Sequence, residues 1–172
     1  MASSRYLISS QTLGSAAASV TFSSIPATYT DLVLRMSIRL ATGNYCSLRF
    51  NSASSNTYSR IGIAASGASV GNISNNNINY LRIIDVDNST NTSNTFSSQE
   101  IYLPNYVVSQ NHPISIFGAT EDNSTAGNTL GIIASLWSNT SAISSIEIAD
   151  HIASSATIAT GSSFYLYGLK NS

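Results

Sequence analysis

Ten consecutive residues, Asp31 to Leu40, alternate with a period of two, and this pattern limits what the chain can fold into more than any other feature. Leu32, Leu34, Met36, Ile38 and Leu40 fall on one side; Asp31, Val33, Arg35, Ser37 and Arg39 fall on the other. Successive side chains of an extended strand point to opposite faces, so the segment is predicted to be a half-buried antiparallel strand with a wet outer face. Pro26 stands just upstream, where a proline marks a strand entrance. Helical periodicity hardly appears anywhere in the 172 residues.

Further strands are expected at intervals of about 10 to 15 residues. Tyr6 to Leu13 and Ser19 to Ile25 are expected to pair around Gly14-Ser15. Ser47 to Asn51 follows the Gly43-Asn44 turn. Ile78 to Val86 is nearly solid apolar and reads as a strand covered on both faces. In Phe96 to Leu103, Ile101 and Leu103 share one face and Glu100 and Tyr102 the other. Ile114 to Thr120 and Thr129 to Trp137 flank the polar loop Glu121 to Asn128. Ile143 to Ile148 and Phe164 to Leu169 close the chain. Ser52 to Asn79 and Asn88 to Thr95, rich in Ser, Asn and Gly, read as long surface loops or short edge strands of weak register. The expected fold is all-β, an antiparallel jelly-roll-like β-sandwich of about 8–10 strands. It forms a single domain over residues 1–172, with 1–15 an attachment arm or first strand.

Composition narrows the function. About four residues in ten are Ser, Asn or Thr, while only 9% are charged, against the usual ~25%. Net charge is −1, Lys170 is the only lysine and no Lys/Arg cluster exists, which disfavours nucleic acid. With Cys46 as the only cysteine, no internal disulfide or cysteine metal site can form. The N-terminus lacks a signal-peptide apolar region, and no run approaches the ~18 apolar residues of a membrane helix. Synthesis in a cytoplasm without membrane association is therefore expected. The Asn-x-Ser/Thr triplets at Asn72, Asn88, Asn91, Asn123 and Asn139 follow from so much Asn, Ser and Thr.

Catalytic constellations are thin. Asp150 and His151 are neighbours, and on a strand they would point apart, so they do not read as two members of a Ser-His-Asp triad. His112 and His151 read as turn or surface residues. Asp85-Val86-Asp87-Asn88 opens like a calcium loop, but position six is Thr90 and position twelve is Phe96, which leaves only a calcium site of other geometry. Glu121-Asp122 and the Glu147, Asp150 pair are candidate glycosidase carboxylates only if held about 5–9 Å apart across a cleft. Gly62, Gly67 and Gly71 do not make a nucleotide fingerprint. A non-enzymatic protein with no cofactor is expected. The nine tyrosines and Trp137 suit interfaces or sugar stacking, and parity places Tyr102, Tyr106, Tyr165 and Tyr167 outward.

Four segments taken together, Phe22 to Arg35, Glu100 to Tyr106, Ile132 to Thr140 and Phe164 to Gly168, resemble short virion structural proteins of tailed bacteriophages. The likeness runs from about Tyr6 to Gly168. It implies a β-sandwich displayed on the virion, commonly as a trimer, either as a capsid decoration (cement) protein or as a fibre or tail-surface module. It carries no active site with it. The implied role is binding to the major capsid protein on the head surface and bridging its subunits. The alternative is a tail fibre or a receptor- or carbohydrate-binding module that contacts glycan. Exposed sheet edges suit assembly by strand addition. The attachment candidates are Arg5, Tyr6 and Leu7, with Tyr102 and Tyr106.

Overall fold

The computed structural model describes residues 4–43, 45–123, 128–152 and 156–170. Fourteen strands occur among them, and no helix. In chain order they are β1 (Ser4–Thr12), β2 (Ser19–Phe22), β3 (Asp31–Ile38), β4 (Leu40–Thr42), β5 (Ser47–Phe50), β6 (Tyr58–Ser66) and β7 (Ser69–Ile78). Then come β8 (Leu81–Arg82), β9 (Ser97–Leu103), β10 (His112–Thr120), β11 (Thr129–Trp137), β12 (Ile146–Ala149), β13 (Thr157–Ile158) and β14 (Ser163–Lys170).

The large sheet runs β1-β14-β3-β9-β10-β11-β6-β7, the smaller one β2-β12-β5-β8, and β13 pairs with β4 alone. All these strand pairs are antiparallel. A jelly roll places its eight strands in the orders first-eighth-third-sixth and second-seventh-fourth-fifth. With β1, β2, β3, β5, β8, β9, β12 and β14 taken as those eight, β1-β14-β3-β9 and β2-β12-β5-β8 reproduce both orders. The fold is thus the expected all-β sandwich. Two hairpins are added to it: β6–β7 lies between the fourth and fifth strands, and β10–β11 between the sixth and seventh. Both join the large sheet and lengthen it on one side.

Parity supplies the core. The alternating residues of β3 behave as predicted on the inner side, where Leu32, Leu34, Met36 and Ile38 are buried. They join Ile101, Ile116, Ile133 and Leu166 against Val20, Phe22, Leu48, Phe50, Ile146 and Ile148 of the small sheet. Trp137 of β11 meets Phe50 of β5 across the sandwich at 5.5 Å between ring centroids, with Tyr58 and His112 packed around the indole.

Several expectations need correction. β1 and β2 do not pair: β1 lies along β14 and β2 along β12, because the chain between them crosses from one sheet to the other. That crossing is tied down by Leu13 N–H to Ser162 O and Ala17 N–H to Ile158 O. The stretch from Ser52 to Asn79 is mostly not loop. It builds β6 and β7, because β6 finds a nine-residue ladder on β11. Ile78 to Val86 is not one strand: Ile78 ends β7, paired with Tyr58, and only Leu81 and Arg82 pair with β5. Ile83, Ile84 and Val86 instead form an irregular buried plug. Asp31 and Val33 are buried as well, so the outer face of β3 is wet only from Arg35 onward. Asp31 accepts bonds from the Tyr102 hydroxyl and from Asn105 N–H, both at 2.9 Å. The Asn88–Thr95 loop is held by the Arg39 guanidinium, which donates to the carbonyls of Asn91 (3.1 Å), Thr92 (3.0 Å) and Thr95 (2.8 Å).

Ile84 shows how the plug is received. Gly118 and Gly131 face each other across β10 and β11, and together they leave a notch. A Cβ at Gly118 would lie 2.6 Å from Ile84 Cβ and 2.8 Å from Gln99 Cδ. Gly118→Ala is therefore expected to lower unfolding free energy by about 1–3 kcal/mol in urea titrations, the usual cost of overpacking a filled core.

Candidate interaction surface

The register of the large sheet sets out its outer face in rows. One row runs Tyr165, Arg35, Glu100, Phe117, Ile132, Ile63, Asn72 from β14 to β7. The next runs Leu7, Tyr167, Val33, Tyr102, Ser115, Ala134, Ile61, Ser74. A third places Ser37, Ser98, Ala119, Leu130, Ala65 and Val70 in line. The jelly-roll half of this face is mixed: Leu7, Tyr102, Tyr165 and Tyr167 share it with the Arg35–Glu100 ion pair at 2.6 Å. The half built by the two added hairpins is apolar. Its large side chains stay in the open: Ile61 is 65% exposed, Ile63 54%, Val70 72%, Leu130 52%, Ile132 58% and Phe117 48%.

No ionisable side chain lies on this apolar half among the described residues. The sequence explains why: residues 61–81 and 123–146 contain no charged residue, and 101–120 contain only His112, which is fully buried. Arg60 of β6 points to the inner side, bonded to the Arg82 carbonyl at 3.1 Å and to Asn75 at 2.8 Å. A shallow apolar trough of about 620 Å³ lies between Ile61, Ile63 and Ile132. The β6–β7 hairpin also extends past the small sheet, and β7 is exposed along most of its length. An isolated two-stranded hairpin is only marginally stable in water, so β6–β7 depends on its ladder with β11.

The sequence-derived candidates divide by parity. Arg5 and Leu7 lie on the outer face near Tyr167, and the Arg5 guanidinium sits 5.5 Å from the Tyr167 ring centroid. Tyr6 takes the opposite face and packs on Tyr29 at 5.9 Å. All three belong to β1, the first strand and one open edge of the large sheet. Tyr102 lies on the outer face, half-buried, with its hydroxyl held by Asp31. Burial, followed by the Asp31 carboxylate, raises its pKa. Tyr106 is not outward; it is fully buried, and its hydroxyl donates to the Pro26 carbonyl. It follows β9 in a turn, where strand parity no longer applies. Tyr165 is exposed and Tyr167 half-buried.

The catalytic candidates do not converge. His151 bonds Glu147 Oε2 at 3.1 Å, while the Asp150 carboxylate accepts the N–H groups of Ile152 and Ala156. Ser47 Oγ is spent on the Ala149 carbonyl and the His151 N–H, away from the imidazole. Asp85 pairs with Arg82 at 2.6 Å, whereas Asp87 is buried and bonded to Ser97, so the two do not share a site. Asp122 is buried too and accepts from Asn91 and Thr92. No group of three His, Cys, Asp or Glu that could hold a metal ion occurs among the described residues. Burial pushes the Cys46 thiol up to about 12, so it is inert at neutral pH.

Neither histidine is a surface residue. His112 is enclosed beside Trp137; its Nε2 bonds the Ser141 carbonyl at 2.9 Å, and Nδ1 has no partner among the described residues. Its start-of-strand position gave no sign of this, because the enclosing wall comes from the distant residues Trp137 and Ser141. Burial holds its pKa below 6.5, with the Ser141 bond opposing. His151 is lowered too, by burial and then by Arg49.

No protein-family model and no curated protein matches the chain.

The histidines make stability depend on pH. A folded pKa below the unfolded value means that the unfolded chain binds more protons, so stability is lost as pH falls below the unfolded pKa. Thermal melts are expected to drop between about pH 7.5 and about pH 5.5, across the ordinary histidine pKa of about 6.5. His112→Phe should flatten that slope relative to wild type.

Proposed function

We propose that the chain is a virion structural protein of a tailed bacteriophage, a decoration protein that binds the major capsid protein on the outside of the head. The observation that carries the reading is the open β1 edge. Its nine residues bring Arg5 and Leu7 to one face and Tyr6 to the other, and its outer side has no neighbouring strand among the described residues. Edges of this kind accept a strand from a partner, with backbone bonds giving affinity and alternate side chains giving selectivity. β1 carries no proline; its charged Arg5 and the bulge between Leu7 and Ser9 limit pairing to a partner that matches them. The resemblance of the four segments to phage virion proteins points the same way. Jelly rolls serve in both capsid and lectin domains, so the architecture supports the class by analogy only. The mechanism is passive: each bound copy bridges neighbouring capsid subunits through apolar and backbone contacts and holds them together.

One feature favours a second reading, a receptor- or carbohydrate-binding module of the tail. A groove of about 430 Å³ on the jelly-roll half is lined by Phe117, Tyr165, Arg35 and Glu100. Aromatic faces flanking a charged pair suit a sugar, which presents both apolar C–H faces and hydroxyls.

Co-sedimentation of the purified chain with phage heads stripped of it, and separately with tails, tests the proposal. Binding to heads is expected, and Leu7→Lys should weaken it by about tenfold or more with little change in melting temperature, because Leu7 is exposed. Binding to tails alone, with retention on a glycan array, would establish the second reading instead. Head binding that Leu7→Lys leaves unchanged would overturn attachment through β1.

A further inference from the structure

We infer that the apolar outer face of β10, β11, β6 and β7 is the docking surface for another copy of this same chain. The inference goes beyond attachment to a particle: it concerns the purified protein alone and a surface at the opposite side of the sheet from β1.

Four observations select a copy of the chain as the occupant. The first is charge. A partner chosen by electrostatics needs charges to read, and this surface has none among the described residues. A surface without charge meets itself with no like-charge cost. The protein as a whole carries only −1, so little long-range repulsion keeps copies apart.

The second is extent. Strands lie about 4.8 Å apart and rise about 3.3 Å per residue, so four strands of about nine residues cover roughly 19 by 30 Å. That is roughly 600 Å² in projection, before the relief of the side chains is counted. Before side-chain relief is added it stands below the ~800 Å² per partner of a standard stable interface, and it lies at the upper end of the ~300–600 Å² that the largest patch on a monomer usually spans.

The third is anatomy. Ile61, Ile63, Leu130 and Ile132 form an apolar centre. Asn72 and Ser74 on β7 and Ser115 and Ser98 toward β9 border it, and the one charge at its margin, Glu100 beside Phe117, is paired with Arg35. An apolar centre without charge and a hydrogen-bonding rim is the layout of a specific interface. Two such faces pack in the manner of a sandwich, about 10 Å apart with side chains interleaved.

The fourth is the origin of the surface. It is supplied by the two hairpins added to the jelly roll, and β6 and β7 contribute little to the protomer's own core. Tyr58 is the only fully enclosed residue of the pair. Isoleucine and valine on the outer side of these strands do nothing for the isolated protomer that serine or threonine would not do.

Sedimentation velocity of the full chain from about 1 to about 100 µM, the range in which interfaces of this class assemble, decides the matter. The expected result is a species of two or three times the 18.1 kDa protomer mass. Ile63→Asp combined with Ile132→Asp should return it to a folded protomer, with the wild-type circular dichroism spectrum. Should the aspartates unfold the chain, Ile63→Ser with Ile132→Ser supplies the same readout at lower structural cost. Wild-type protein that sediments as a protomer throughout overturns the inference. So does an assembly that persists unchanged in a folded double variant. A failure of head binding leaves this result untouched, and self-association without head binding would separate the two proposals.

Discussion

A continuous antiparallel ladder from β14 through β3, β9, β10 and β11 to β6 decides which way the side chains of the large sheet point. The register is unbroken from Ser163–Ser37 at one side to Thr129–Ser66 at the other. A slip of one residue anywhere would turn an entire strand over, exchanging Leu34 for Arg35 or Ile133 for Ile132. The core and the outer face are therefore two consequences of one constraint. The burial of Ile101, Ile116 and Ile133 fixes the phase, and the exposure of Glu100, Phe117 and Ile132 follows from it. The aromatic group of Trp137, Phe50, Tyr58 and His112 locks the small sheet to this ladder.

Much of this could be read from local pattern, and the remainder could not for identifiable reasons. Asp31 to Leu40, Phe96 to Leu103 and the hairpin around Glu121 to Asn128 alternate strongly, and each is a strand or hairpin close to where it was expected. Ser69 to Ile78 has poor strand propensity and three consecutive asparagines; it is extended because β6 offers a complete partner and because β6 is itself held by β11. Ile83 and Ile84 look like strand residues, but Gly118 and Gly131 open a notch that receives Ile84 as a plug. Tyr106 and His112 were read by parity and by their place at a strand end, and both are enclosed by segments distant in sequence. The outer apolar face did have a signal in the chain: three long stretches nearly free of charge, at 61–81, 101–120 and 123–146, that the ladder assembles side by side.

Charge and polarity are thus distributed rather than merely scarce. The ionised groups sit around the jelly roll, as Arg35 with Glu100, Arg82 with Asp85 and Arg39 across its loop. The hydroxyls and amides fill loops and rims, where Asn51, Asn88, Asn91 and Asn139 each bond the backbone. Such groups keep their hydrogen bonds over wide ranges of pH and salt, unlike ion pairs, which salt screens. Two of the surfaces without a strand or core partner among the described residues are the β1 edge and the face of the added hairpins. They lie at opposite sides of one sheet, so a copy bound to a shell through the first still presents the second to its neighbours.

An electron cryomicroscopy map of phage particles prepared with the protein tests the proposed role most directly. The account predicts jelly-roll density over the head, with β1 against the capsid shell and Ile63 and Ile132 covered by an adjoining copy. Density confined to the tail, or a head-bound sandwich whose Ile63–Ile132 face is open to water, would contradict it.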